Sequence, residues 1–223
     1  MGKKMNFKIK TNFPVALDSL DHLNPVGTTG NNTSIPLIEE IEQHFDNEKI
    51  NMCDLGCAGG QFVVDFHNRG HSAIGLEGSD YSIHNNVDNW LQYHNNILFT
   101  CDIEHLFSVQ DENNTNIKFK CISAWEVLEH IKPYRLNTVL KNIYDLLDDD
   151  GIFIGSISLI PCVIQNGVDL HQSRYTQDKW INELFPRIGL QCFEYPFKNL
   201  VNRTYVDMGY SFSICAKKIN TGS

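Results

Sequence analysis

Apolar positions along this chain fall into two rhythms. Short apolar runs occupy 50–55, 72–77, 97–101, 119–124, 152–158, 190–195 and 211–217, and each reads as a strand. Before and between them lie segments with apolar residues three and four apart, at 35–45, 60–68, 81–93, 134–147 and 176–188, which read as helices. Ser34 is placed to cap the first helix, with Pro36 in its first turn, and Thr176 to cap the last. Asp148, Asp149, Asp150 and Gly151 should end the helix over 134–147, with Gly151 at its C-cap. Strand and helix alternate, which predicts an α/β fold: a mostly parallel seven-stranded sheet with helices on both faces. No helix is expected between the last two strands, so they should close one sheet edge as an antiparallel hairpin. Residues 110–117 read as an Asn-rich loop. A single domain over 34–219 is expected, preceded by an N-terminal arm over 1–33.

The first strand carries Asp54 near its end and then breaks into Gly56, Cys57, Ala58, Gly59 and Gly60. Glycine is needed where the backbone turns sharply or a ligand approaches it closely. A strand, a glycine turn and a helix in this order suit a nucleotide-type cofactor at the carboxyl end of the sheet. A dinucleotide fingerprint would place glycines at 58 and 61, where this chain has Ala58 and Gln61. The second strand ends in Glu77, 23 positions after Asp54, where an acid is placed to meet ribose hydroxyls. Gly78 follows, and Ser79 or Asp80 is placed to cap the next helix. The third strand ends at Asp102 and Ile103, and the fourth runs into Trp125.

The run Asp54-Leu-Gly-Cys-Ala-Gly-Gly60 resembles motif I of the class I S-adenosylmethionine (SAM) methyltransferases, D/E-x-G-x-G/A-x-G. With the acids that follow it in order, the resemblance covers about residues 50 to 195. It implies a Rossmann-like fold and SAM as cofactor. It implies a cofactor site built from Asp54, Gly56, Cys57, Ala58, Gly60, Glu77, Gly78, Ser79, Asp102, Ile103 and Trp125. In that family the glycine turn approaches the amino-acid part of SAM, and the acid at the place of Asp102 neighbours the adenine.

Beyond Trp125, Glu126 lies three positions before Glu129 and four before His130. A helix would project all three from one face, and two carboxylates with an imidazole suit a divalent cation such as Mg, Mn or Fe. The run Glu126-Val-Leu-Glu-His130 resembles motif IV of the small-RNA 3′-end 2′-O-methyltransferases and of the ubiquinone-pathway O-methyltransferases. In both, a further histidine beyond the fifth strand completes the site. Here His171, 41 positions after His130, stands in a comparable place. The implied metal set is therefore Glu126, Glu129, His130 and His171. Without a metal, His130 and His171 remain candidate general bases, because imidazole titrates near neutral pH. A rival is a nucleophilic thiol at Cys162, as in the RNA cytosine-5 methyltransferases. Cys162 falls 11 residues past Gly151, later than in that family, and the fourth strand lacks its Pro-Cys, so Cys162 reads as a loop or core thiol.

Charge and composition narrow the partners. The 223 residues include 18 basic and 27 acidic side chains, for a net charge of −9. That balance argues against long nucleic acids, and Lys3, Lys4, Lys8 and Lys10 read as a solvated tail. Seven cysteines without a CxxC pair read as reduced thiols of a cytoplasmic protein. No apolar run approaches the roughly 18 residues of a membrane span, so no membrane partner is expected. The expected activity is O-methylation of a small hydroxylated acceptor such as a sugar, a glycan end or a catechol-like compound. An RNA end, an amine or carboxylate acceptor, and a non-catalytic SAM-binding module are the alternatives. Residues 21–33 read either as a lid over SAM or acceptor or as a plain connector. His171, Ser173, Arg174 and Tyr175 lie where they would shape acceptor choice. Asn199, Asn202, Arg203 and Tyr205 read as a solvated hairpin loop within reach of it. Oligomeric state is not legible.

Overall fold

The computed structural model describes residues 6–25, 27–87, 89–201 and 203–219. Lys3, Lys4 and Asn202, read from the sequence above, lie outside the described residues. The chain opens with β1 (Lys8–Lys10), α1 (Leu20–Leu23) and α2 (Ile35–His44). Ser34 caps α2 through its side chain, which accepts from the Leu37 N–H. Next come β2 (Asn51–Leu55), α3 (Gln61–Asn68), β3 (Ser72–Glu77), α4 (Tyr81–His84), α5 (Trp90–Tyr93), β4 (Leu98–Thr100) and β5 (Ser108–Gln110). The second half is β6 (Phe119–Trp125), α6 (Leu136–Leu146), β7 (Leu147–Ser158), α7 (Gln177–Lys179), α8 (Phe185–Arg187), β8 (Leu190–Phe193), α9 (Arg203–Asp207) and β9 (Ser211–Lys218).

The main sheet has seven strands in the order β4-β3-β2-β6-β7-β9-β8. The pairs from β4 to β7 are parallel, and β9 runs antiparallel to both β7 and β8. The central strands are buried on both faces, so they read as continuous apolar runs rather than alternating ones. One face is covered by α2 and α3 through Leu37, Ile38, Ile41, Phe62 and Phe66. The other is covered by Val139, Leu140 and Ile143 of α6, with Trp180 and Phe185. Burying each such side chain contributes about 1.5–3 kcal/mol.

The departures from the expected elements have local causes. The segment 81–93 forms two single-turn helices, with Asn86 at φ 50° between them. Asparagine tolerates the left-handed region, where it interrupts a helix. Gly151 does not cap a helix: α6 ends at Leu146 and the next strand begins at once. Phe119 pairs with Leu147 but Cys121 with Ile152, so the acidic residues bulge out of β7. Between α7 and α8 lies a π turn, Trp180–Leu184. Pro186 has no N–H to return to Asn182, which favours the wider turn. The hairpin β8–β9 is antiparallel as expected, but the short helix α9 stands between its strands, where none was expected. The Asn-rich loop begins inside β5, which pairs with β1 of the arm.

Candidate active site

Gly56 and Gly60 have φ of +70° and +84°. Any Cβ at Gly60 would fall 2.6 Å from Leu98 Cδ1, and one at Gly56 2.5 Å from Val127 Cγ2. Only glycine fits both positions. Between them, Ala58 also adopts a left-handed φ of 46°. Its N–H donates to Glu77 Oε2 at 3.0 Å, and its carbonyl accepts from Trp90 Nε1 at 2.6 Å. The glycine turn is thus held against the acid that ends β3. Cys57 is buried, and its burial pushes the thiol well up.

Three acids line the strand ends. Asp54 is buried and accepts from the Ser123 hydroxyl at 2.6 Å. Burial pushes its carboxyl up to about 7, against the Ser123 hydrogen bond and with help from Glu77. Glu77 also accepts from the Ser79 N–H at 3.1 Å, and burial raises it to about 6. Asp80 is the N-cap residue of α4 but makes no side-chain cap bond; the Tyr81 N–H donates instead to the Ser79 hydroxyl at 3.2 Å. Asp102 accepts from the Glu104 N–H at 2.9 Å and pairs with His105 Nδ1 at 2.9 Å. Ile103 is buried in the core and its carbonyl accepts from Asn142. Trp125 packs edge-on to Phe62, with its buried Nε1 lacking a partner among the described residues.

The second cluster corrects one expectation. Residues 126–130 are not a helix: Glu126 sits at φ 56° and a 3₁₀ turn spans Leu128–His130. Glu126 is therefore not held on a shared helical face: its Oε2 accepts from the Ser211 hydroxyl at 2.7 Å, and its buried Oε1 has no partner among the described residues. The residues brought together are Glu129, His130 and His171, each offering a ligand atom within 4.8 Å of the other two. The imidazole rings of His130 and His171 meet edge-on, 4.5 Å between centroids. The 41-residue gap is closed by backbone stitching. The Ser173 N–H donates to the Glu129 carbonyl, the Gln172 amide to that of His130 and the Ser173 hydroxyl to that of Ile131, at 2.8, 2.9 and 2.6 Å.

The partners of these groups fix their chemistry. Glu129 Oε1 accepts from the Ser158 N–H at 2.8 Å, whereas its buried Oε2 has no partner among the described residues. His171 Nδ1 lies 2.6 Å from the Ile160 carbonyl, and His130 Nδ1 lies 2.9 and 3.1 Å from the two Asp21 oxygens. Carbonyls and carboxylates only accept, so each Nδ1 carries the proton and each neutral ring keeps its lone pair on Nε2. Burial and the Glu126 charge push Glu129 up to about 8. Burial and the charge of His130 lower His171. Burial opposes a charge on His130, but the Asp21 hydrogen bond and three nearby carboxylates outweigh it and raise the pKa. Burial and nearby acids raise the Cys162 thiol, which leaves it a poor nucleophile.

The arm crosses both clusters. The Gly59 N–H donates to the Gly30 carbonyl at 2.7 Å and the Gln61 N–H to Asn31 Oδ1 at 2.9 Å. Asp102 N–H donates to the Phe13 carbonyl, and the Phe13 ring stacks on His105 at 3.6 Å. By contrast, Asn199 is tied to Glu40 of α2 by its N–H and its amide group.

A family model for a methyltransferase domain matches residues 34–203. The chain belongs to the methyltransferase-domain family. Solved structures share the fold at low identity. A TehB-like SAM-dependent methyltransferase from Corynebacterium glutamicum is 15% identical, covering 91% of this chain and 97% of that one, with a TM-score of 0.54. Magnesium protoporphyrin IX methyltransferase from Synechocystis, with bound SAH, is also 15% identical, covering 82% and 80%, with a TM-score of 0.54. A sphingolipid C9-methyltransferase from Komagataella phaffii is 39% identical over 44 residues, 20% of this chain and 9% of that protein. No helix among the described residues is long and apolar enough to cross a membrane.

The raised carboxyls give this methyltransferase a pH signature. Asp54, Glu77 and Glu129 bind protons more tightly folded than unfolded. Their contribution to stability is full below an unfolded value near 4 and is lost as pH rises through about 6 to 8. The metal-free protein should melt at a lower temperature at pH 8.5 than at pH 5.5, and Glu129→Gln should flatten that fall. Calorimetry across this range checks it; a melting temperature that rises with pH in the wild type contradicts it.

Proposed function

We propose that this methyltransferase uses SAM to methylate a hydroxyl of a small vicinal-dihydroxy acceptor with an apolar body, and that Glu129, His130 and His171 hold a divalent cation beside it. The observation that carries the reading is the convergence of the unpartnered buried Glu129 Oε2 with two histidines whose Nδ1 atoms lie against acceptors, the Ile160 carbonyl and the Asp21 carboxylate. Such a donor set fits a cation of the Mg, Mn or Fe class, with imidazole favouring the transition metals. SAM supplies the methyl group and the sulfonium leaving group, and a cation supplies a lower pKa for a hydroxyl bound to it. The chain's own share is binding and orientation. Asp54, Glu77 and Asp102 stand at successive strand ends to receive the polar groups of SAM, and the glycine turn keeps side chains out of the way. Ser158 fixes the Glu129 carboxyl, and Ile160 fixes the His171 ring. Positioning of the nucleophile in line with the methyl carbon is then the main source of rate.

The surroundings of His171 favour an acceptor with an apolar body over a sugar. Leu159, Ile160 and Val163 follow β7 with exposed side chains, and the Leu159 N–H donates to the carbonyl of exposed Tyr210. Ile160→Asp should raise the KM for a catechol-like acceptor about tenfold or more, with little change in SAM affinity. Steady-state kinetics read this; an unchanged KM argues against an apolar apron. A metal-free reading has one observation in its favour: the lowered pKa keeps His171 neutral, fit to act as a base. S-adenosylhomocysteine release with a catechol and with its monohydroxy analogue, each with and without EDTA, separates the two. We expect the monohydroxy analogue to react at least about 100-fold more slowly, and EDTA to silence the catechol reaction. Equal turnover of both acceptors, insensitive to EDTA, would overturn the cation-assisted reading.

A further inference from the structure

We propose that Asp21, carried by the N-terminal arm, is the positioning residue for His130: its carboxylate holds the proton on Nδ1 and so keeps Nε2 as the lone-pair nitrogen. The inference rests on the proposed function only for what Nε2 then does. The geometry stands by itself. Both Asp21 oxygens lie within hydrogen-bond reach of Nδ1, at 2.9 and 3.1 Å. Their side chains are 22% and 20% exposed, so water competes for this contact only in part.

Asp21 does not reach this place through its own element. Helix α1 has four residues, too few to persist alone. It is set by ties on either side. Toward the turn after β3, the Ala16 N–H donates to the Gly78 carbonyl at 2.8 Å, and His22 Nδ1 lies 3.4 Å from the Ser79 hydroxyl and 3.7 Å from Asp80. Toward the turn after β6, Lys132 pairs with Asp18 at 2.7 Å. Residues 16–22 therefore bridge the end of β3, where the cofactor is proposed to lie, and the histidine after β6. An exposed ion pair elsewhere on the surface would contribute little and would specify nothing. This one selects a tautomer, because a carboxylate accepts but cannot donate. Outer carboxylates that fix the ring of a metal-binding histidine typically govern metal affinity by about 10–100-fold.

The test uses the full chain, wild type, Asp21→Ala and Asp18→Ala. Histidine tautomers are read by nitrogen-15 NMR on metal-free protein near pH 9, and Co²⁺ affinity by its absorption bands. We expect His130 to carry its proton on Nδ1 in the wild type and in Asp18→Ala. In Asp21→Ala a large fraction should move to Nε2, and Co²⁺ should bind about 10–100-fold more weakly. Asp18→Ala loosens the same stretch without touching His130, so an equal change there would assign the effect to arm packing and overturn the role of Asp21. A wild-type His130 protonated on Nε2 would also overturn it, as would an Asp21→Ala protein with both readouts unchanged. If the wild type shows the Nδ1 tautomer, lost in Asp21→Ala, yet binds no Co²⁺, the assignment of Asp21 holds and the cation reading falls.

Discussion

Replacing His171 with alanine should lower kcat by about 100- to 1000-fold while S-adenosylhomocysteine affinity stays within about twofold. The split follows from where His171 sits. It is delivered by the loop stitched to the carbonyls of Glu129, His130 and Ile131, and its Nδ1 is fixed by Ile160. None of these bonds involves the glycine turn at 56–60 or the acids Asp54, Glu77 and Asp102. Glu129→Gln should behave alike. The amide oxygen can still accept from the Ser158 N–H, so the fold survives while the anionic oxygen is lost. Steady-state kinetics with calorimetric titration of S-adenosylhomocysteine checks both variants. A matching fall in cofactor affinity would move His171 to the cofactor side and contradict the division of the site.

The second large effect is on the turn itself. Gly60→Val should destabilise the protein by about 3–5 kcal/mol, a large share of the roughly 5–15 kcal/mol of a typical domain. Two costs add. A left-handed φ of +84° is forbidden ground for a β-branched residue, at about 1–2 kcal/mol or more. The new Cβ would also fall 2.6 Å from a methyl of Leu98, which is wholly buried and has little room to yield. Urea unfolding measures the sum. A loss below about 1 kcal/mol would mean that the turn relaxes freely, and that its shape is not enforced by its glycines.

The sheet was legible because buried parallel strands are written as unbroken apolar runs, and Asp54, Glu77 and Asp102 mark where three of them end. The glycine turn was legible for a related reason: Gly56 and Gly60 occupy backbone states that other residues avoid. The conformation of residues 126–130 was not legible. Spacings of three and four fit a helix, but Glu126 takes a left-handed φ and bonds Ser211, 85 positions away. The bulge at Asp148 to Gly151 was hidden likewise, because strand pairing overrides local preference. Asp21, Asn31 and Ser123 were missed as partners of His130, Gln61 and Asp54. Nothing in spacing links residues so far apart. The only signal was the unusual density of polar turn residues in 21–33, which marks a segment with work for its side chains but not their targets.

The most direct test of the account is metal binding by untagged protein: elemental analysis as purified, then Mn²⁺ titration with S-adenosylhomocysteine present. Close to one metal ion per chain is expected in the wild type, with binding lost in both His171→Ala and Glu129→Gln. A wild type that carries no metal and takes up no Mn²⁺ under these conditions would contradict it.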